Sequence, residues 1–261
     1  MLDTTALRTA YDEQLRLAET RNLPPGVHAE PDGPVVRVVG LARGGFVTGP
    51  TDLGVDGDTL DALIARQRDY FAARGEDVEW KTRGHDLPAD LPDRLVAAGF
   101  EAETEEAVVI GAAADLATRV TVPGIVVREV DDDADMHRIA AMQEAVWRDG
   151  RNWLADELIR RDRSRTVVVV AEADGEIVSS SRLELVPGTD FAGLWGGATL
   201  ERWRGRGIYR ALVAYRAAVA VARGVKYLQV DASPDSRPIL LRLGFVAVTT
   251  TTPYVYQPRP T

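Results

Sequence analysis

The sequence predicts an α/β (α+β) protein made of two related domains. Three observations lead there. From residue 125 onward, helical and extended patterns alternate. Residues 61–75 return as a recognisable copy at 210–224. Between the halves, 111–124 reads GAAADLATRVTVPG, rich in small residues as inter-domain linkers are. The expected domains are therefore 1–122 and 123–261.

The second half is read in order. Residues 125–130 form a strand, and Asp133 caps a helix to Arg148 whose apolar positions are Met136, Ile139, Ala140, Met142 and Val146. Residues 153–161 form a second helix. Strands follow at 166–171 and 177–186, with Asp174-Gly175 between two β-branched runs as the hairpin turn. Pro187-Gly188 marks a turn before a strand at 191–200. A helix at 209–222 stops at Gly224, a strand occupies 225–230, a short helix 236–243 ends at Gly244, and 245–256 is β.

The copy in the first half keeps this order. DALIARQRDYFAARG lies on RALVAYRAAVAVARG without gaps, placing Ala62 on Ala211, Leu63 on Leu212, Ala65 on Ala214 and Arg74-Gly75 on Arg223-Gly224. A strand at 77–82 then answers 226–230, and a short helix closing on Ala98-Gly99-Phe100 answers Leu243-Gly244-Phe245. One difference matters for function. Carried backwards, the register sets Arg202, Gly205 and Gly207 against Leu53, Asp56 and Asp58, so a basic loop in one half is acidic in the other.

Composition limits what this fold can do. The chain has 261 residues, 45% hydrophobic, enough for two ordinary cores. A net charge of -9 excludes a general nucleic-acid binder, which needs a basic face, so any anion site must be local. With no cysteine there is no disulfide, thiolate metal site or enzyme-bound thioester. His28, His85 and His137 lack the paired spacing of a zinc helix, and no metal is expected. The opening MLDTTALRTAYDEQLRLAETR carries acidic residues where a signal peptide is apolar, and no run approaches a membrane span. A cytoplasmic protein with no membrane partner is expected.

The loop at 202–210 points to an anion. Glycines at 205 and 207 permit a tight turn ahead of a helix, whose amino-terminal N–H groups and dipole attract phosphate. Arg202, Arg204, Arg206 and Arg210 put four arginines into nine residues of an acidic chain. A structural protein could carry the same parts as a solvated basic turn. Neither a dinucleotide fingerprint nor a nucleoside-triphosphatase loop fits: Arg210 stands at the third glycine, and no Gly-Lys-Ser/Thr is present.

What does fit is Arg/Gln-x-x-Gly-x-Gly/Ala, here Arg202-Trp203-Arg204-Gly205-Arg206-Gly207, which resembles the coenzyme A pyrophosphate loop of the GNAT superfamily of acyltransferases. ATLERWRGRGIYRALV is similar to that family's strand, loop and helix, and DASPDSRPILLRLGF to its next strand end and short helix. The resemblance covers 125–256 well and the first half only as a degenerate copy. It implies that each domain is a mixed, mostly antiparallel sheet flanked by helices, and that the fourth and fifth strands splay apart in the C-terminal domain. Acetyl-CoA is then the cosubstrate, its pantetheine arm pairing with Ala198, Thr199 and Leu200. Its pyrophosphate rests on the N–H groups of Arg204, Gly205, Arg206, Gly207 and Ile208, with Tyr209 opening the helix.

Such a site transfers an acetyl group to an amine in a ternary complex. An alkyl amine with a pKa of about 10.4 must first lose a proton, so a base is required. The tetrahedral intermediate needs a donor at its oxyanion, which a fourth-strand N–H supplies. The family's frequent acid, a tyrosine four positions before the glycine of Leu-Gly-Phe, is Leu240 here, and its frequent asparagine is Ser233. Tyr254 and Tyr256 are substitutes that aromatic packing equally explains. The strand at 191–199 has no carboxylate, which leaves Glu184 and Asp231 as candidate bases. An ion pair with Arg182 is the plainer account of Glu184, while for Asp231 a turn-forming carboxylate and a base stand level. Gly196-Gly197 either clears space for the acyl group or forms a bulge. The tryptophans Trp147, Trp153, Trp195 and Trp203 could wall a cleft, though packing is the commoner use of such residues. Two readings result: an N-acetyltransferase whose acceptor is a small-molecule or peptide amine, or a coenzyme A-binding scaffold without catalysis.

Overall fold

The computed structural model describes residues 3–21, 23, 26–41, 44–150 and 153–258. In the first half it contains α1 (Thr4–Gln14), β1 (His28–Asp32), β2 (Val35–Val39), β3 (Gly45–Thr48), α2 (Gly57–Ala72), β4 (Val78–Arg83), α3 (Leu91–Ala97), β5 (Glu101–Ala102) and β6 (Glu106–Ala112). The second half contains α4 (Ala113–Leu116), β7 (Val126–Val130), α5 (Asp133–Trp147), α6 (Leu154–Arg160), β8 (Thr166–Ala173), β9 (Glu176–Leu185), β10 (Phe191–Thr199), α7 (Ile208–Ala222), β11 (Tyr227–Ala232), α8 (Arg237–Leu243) and β12 (Val246–Tyr256). Helix α5 is capped by Asp132, whose carboxylate accepts from Asp135 N–H at 2.7 Å. Asp133, the expected cap, lies in the first turn. At the β8–β9 hairpin both Asp174 and Gly175 have positive φ (47° and 82°), as a primed turn requires.

Chain contacts divide the protein into two compact units. The first holds the residues up to Val109 together with Asp231–Ile239 and the chain from Val246 on. Its strands β1, β2 and β3 run antiparallel, β3 runs parallel to β4, and β12 pairs antiparallel with β4 while β5 pairs with β12. On one face α2 supplies Leu60, Leu63, Ile64 and Phe71 to a core closed by Val78, Trp80, Leu91, Leu95, Phe100 and Tyr254. Tyr256 packs its ring 5.6 Å from that of Phe100. Both tyrosines therefore belong to the packing of this unit.

The second unit holds Ile110–Val230 and Leu240–Phe245. Strands β7 to β10 are antiparallel, and β10 runs parallel to β11. Each unit thus repeats one plan, an antiparallel meander ending in a single parallel pair joined across a long helix, α2 in one and α7 in the other.

The division does not fall at 122/123. It falls within β6, and the chain's last strand lies with the first unit. The small residues after 110 serve close packing. A Cβ on Gly111 would stand 2.7 Å from Leu116 Cδ1 and 3.1 Å from Phe245 Cδ1, and Ala113 is fully buried. Gly111, Ala113 and Leu116 are thus packed into the interior of the second unit.

Candidate functional site

The parallel pair of the second unit opens partway along. The β10–β11 register runs through Phe191↔Tyr227, Ala192↔Leu228 and Gly193↔Gln229, while β10 continues to Thr199 and β11 to Ala232. On its other side, β10 shifts register against β9 between Trp195 and Ala198. Gly196 and Gly197, both exposed, together oppose Ser181, which makes them a β-bulge. The bulge is tightly framed. Built Cβ atoms would stand 2.4 Å from Arg182 Nη1 at Gly196 and 3.2 Å from Tyr209 Cε2 at Gly197.

After β10 the chain makes a short 3-10 turn, Glu201–Trp203, and enters the glycine loop. Gly205 and Gly207 have φ of 74° and 81°, a left-handed conformation that strains any side-chain-bearing residue. The first main-chain bond of α7 runs from Ala211 N–H to Gly207 O at 3.0 Å. The N–H groups of Ile208, Tyr209 and Arg210 are thereby directed out of the helix end, where the dipole is positive. Buried Ile208 anchors that end.

The loop's arginines brace it. Arg202 pairs with Glu176, Arg204 Nε donates to Thr199 O at 3.1 Å, and the Arg206 guanidinium stacks 4.6 Å over Trp203. Two expected main-chain donors are already engaged. Arg204 N–H bonds Glu201 O at 3.1 Å, and Leu200 donates to Val178 O at 3.0 Å while its carbonyl accepts from Trp203 N–H at 2.8 Å. Leu200 is thus buried at the strand end with its main-chain N–H and C=O both bonded within the protein. Ala198 O accepts from Ser179 Oγ at 2.7 Å, and Ser179 also meets Thr199 Oγ1 at 2.8 Å, so these strand residues are held from the β9 side.

The two expected bases are both ion-paired. Glu184 Oε1 accepts from Arg161 Nη1 at 2.6 Å and from Arg182 Nε at 2.5 Å. Asp231 lies in the first unit, its side chain 4% exposed and 2.8 Å from Lys81 Nζ. Burial opposes the charge on Lys81, but Glu19 and Asp231 outweigh it and hold the ammonium well above its ordinary pKa. Sequence reading missed Glu106, a neighbour in this acidic group. Burial, with the negative charge of Asp231, pushes its pKa up to about 7. Glu79 is raised by burial as well. Leu240, where a tyrosine was sought, is fully buried.

Elsewhere in the second unit a cleft of about 330 Å³ opens by the carboxyl end of α7, lined by Met136, Leu158, Arg161, Arg163, Thr166 and Arg223. Its arginines are committed to protein oxygens: Arg161 to Glu184, Arg163 to Asp133 and Arg223 to Ser164 O. The glycine loop lies at the opposite end of that helix. Among the described residues no group of carboxylates or histidines is arranged to hold a metal. Among the described residues no helix is long and apolar enough to cross a membrane.

Residues 133–245, which span α5 to the end of α8 and include the loop, match the Acetyltransferase (GNAT) family. The second half of this chain is a GNAT domain. Solved structures agree on the fold along the whole chain. A GCN5-related N-acetyltransferase from Kribbella flavida superposes with a TM-score of 0.73 at 16% identity, covering 100% of this chain and 97% of that one. A GCN5-related N-acetyltransferase from Sphaerobacter thermophilus gives 0.63 at 16% identity, covering 94% and 85%. A tandem GNAT protein from the clavulanic acid biosynthesis pathway gives 0.65 at 14% identity, covering 94% and 87%. No curated protein matches the sequence. Against this background the first unit has the same plan without the loop. Its α2 begins beside Asp56 and Asp58, which repel the phosphate that a helix amino terminus otherwise attracts.

Proposed function

We propose that the protein transfers an acetyl group from acetyl-CoA to the amine of a small molecule or peptide, directly, within a ternary complex. One observation carries the reading: a left-handed glycine loop opens a long helix beside a parallel strand pair that stops pairing after Gly193 and Gln229. The pyrophosphate would rest on the N–H groups of Gly205 to Ile208. The pantetheine arm would run along the free edge of β10 by Ala198 and Thr199, bringing the thioester to the Gly196-Gly197 bulge. The amine nitrogen attacks the thioester carbon, a bulge N–H receives the oxyanion, and collapse breaks the C–S bond. The amine proton leaves to a base, and the thiolate, with a pKa of about 8.5, takes up a proton as free thiol. The first unit is a degenerate copy without a cofactor loop.

The ion pairing of Glu184 and Asp231 and the leucine at 240 favour the other reading, a coenzyme A-binding scaffold. Release of free thiol from acetyl-CoA over a panel of primary amines decides between them. Melting shifts with acetyl-CoA at about 100 times its dissociation constant, worth roughly 2.7 kcal/mol, report binding in either case. Turnover with any amine establishes the enzyme, and a melting shift without turnover establishes the scaffold.

A further inference from the structure

Arg216, on α7, is the most deeply buried charge of the GNAT domain. It is 1% exposed, Nε donates to Leu212 O at 3.1 Å and Nη1 donates to Arg182 O at 3.0 Å. Its Nη2 finds no acceptor among the described residues, and no carboxylate among them pairs with it. The hydroxyl of Ser181, the residue facing the bulge, is also buried without a partner. Desolvation lowers the Arg216 pKa to about 10, which leaves it charged near neutrality.

Its location gives that charge a use. Arg182, whose carbonyl Arg216 holds, pairs with Trp195 at the edge of the Gly196-Gly197 bulge. On the α5 side Gln143, 5% exposed, donates from Nε2 to Gly196 O and to Ser180 Oγ, both at 3.0 Å. The bulge is therefore gripped from two helices, with an unneutralised cation on one of them. The copy in the first unit shows what the fold alone needs. In the ungapped register Gln67 stands where Arg216 stands, equally buried, donating to Leu63 O at 3.3 Å as Arg216 does to Leu212 O. Gln67 is neutral and has a carboxylate partner, Asp32 Oδ2, at 2.5 Å. Packing the long helix on its sheet thus requires a polar side chain there but no charge, and the charge occurs only in the unit with the glycine loop.

We propose that Arg216 and Gln143 are positioning residues for acyl transfer: Gln143 fixes the β10 bulge with its N–H groups toward the thioester, and Arg216 biases that spot toward negative charge. This rests on the acetyltransferase reading above. A buried cation without a partner costs stability, so the two functions of the fold pull apart at this residue.

The test uses the full chain, acetyl-CoA and the primary-amine panel, with thiol release into water as the reaction should no amine serve. Arg216→Gln installs the residue of the first unit. It is expected to melt no lower than the parent and to keep its KM for acetyl-CoA, yet to lose about 10- to 100-fold in kcat, less than the 10²- to 10³-fold that loss of a direct oxyanion donor costs. Arg216→Lys, retaining the charge, recovers part of that loss. Gln143→Leu lowers kcat at constant KM for acetyl-CoA. A structural role predicts the reverse for Arg216→Gln: a lower melting temperature, or no folded protein, with kcat per folded molecule unchanged, and either result overturns the proposal. Parental protein with no melting shift and no thiol release defeats the acetyltransferase reading instead. Active parental protein with indifferent variants defeats only this inference.

Discussion

Glu106→Gln isolates the carboxyl group that the fold holds furthest into the neutral range. In the folded chain its pKa is about 7, against an ordinary 4.5, because burial and the Asp231 carboxylate disfavour its charge. Folding therefore favours the protonated form, and the stability this contributes is intact below pH 4.5 and lost as pH rises through 7. At about 1.36 kcal/mol for each pKa unit, the difference of 2.5 gives an upper bound of about 3.4 kcal/mol. Solvent reaches part of the side chain, so a discounted 1 to 2 kcal/mol is the expected size. Glutamine mimics the neutral acid. The variant should match the parent in thermal melting at pH 4 and exceed it at pH 8 by roughly 2 to 8 °C. A gap of the same size and sign at both pH values, or a variant less stable at pH 8, would refute the reasoning.

Further outcomes follow from packing and ion pairing. Gly111→Ala places a methyl group 2.7 Å from Leu116 Cδ1, and should cost about 1 to 3 kcal/mol in chemical denaturation if Gly111 is packed into the second unit. An unchanged midpoint would mark it as a linker after all. Glu184→Gln leaves Arg182 short of a countercharge and Arg161 with Glu157 alone, so melting should fall while the pH profile of any turnover keeps its shape. Loss of a pH limb in that variant would return Glu184 to the role of base.

Much of the second half was legible because its signals are local. Glycines at 205 and 207, arginines around them and an apolar helix after them specify the turn, the helix start and the charge within a dozen residues. The Asp174-Gly175 hairpin and the Gly224 stop are equally local, and both residues of the hairpin and Gly224 adopt the positive φ that their sequence implies. What was illegible depends on distance along the chain. Asp231 meets Lys81 across 150 residues, so a carboxylate at a strand end looked free when it is paired. The last strand, β12, alternates as any strand does, and no pattern within it names β4 as its neighbour. An arginine inside an amphipathic helix reads as solvent-facing, and only the packed structure places Arg216 under the sheet. Leu200 failed for a subtler reason. The resemblance designates a stretch of strand, while main-chain bonding within the turn decides which of its groups remain available.

The account depends above all on the glycine loop of the second unit gripping a diphosphate where its counterpart in the first cannot. Calorimetric titration of acetyl-CoA into the parental protein, Gly207→Asp and Asp56→Ala tests this most directly. A side chain at Gly207 meets only Val122 Cγ2, at 3.9 Å, so aspartate fits there at a left-handed strain of about 1 to 2 kcal/mol and acts through its charge. The prediction is one binding site per chain in the parent, unchanged in Asp56→Ala and abolished in a Gly207→Asp protein that still melts cooperatively. Retained binding in Gly207→Asp, or equal loss in both variants, would contradict it.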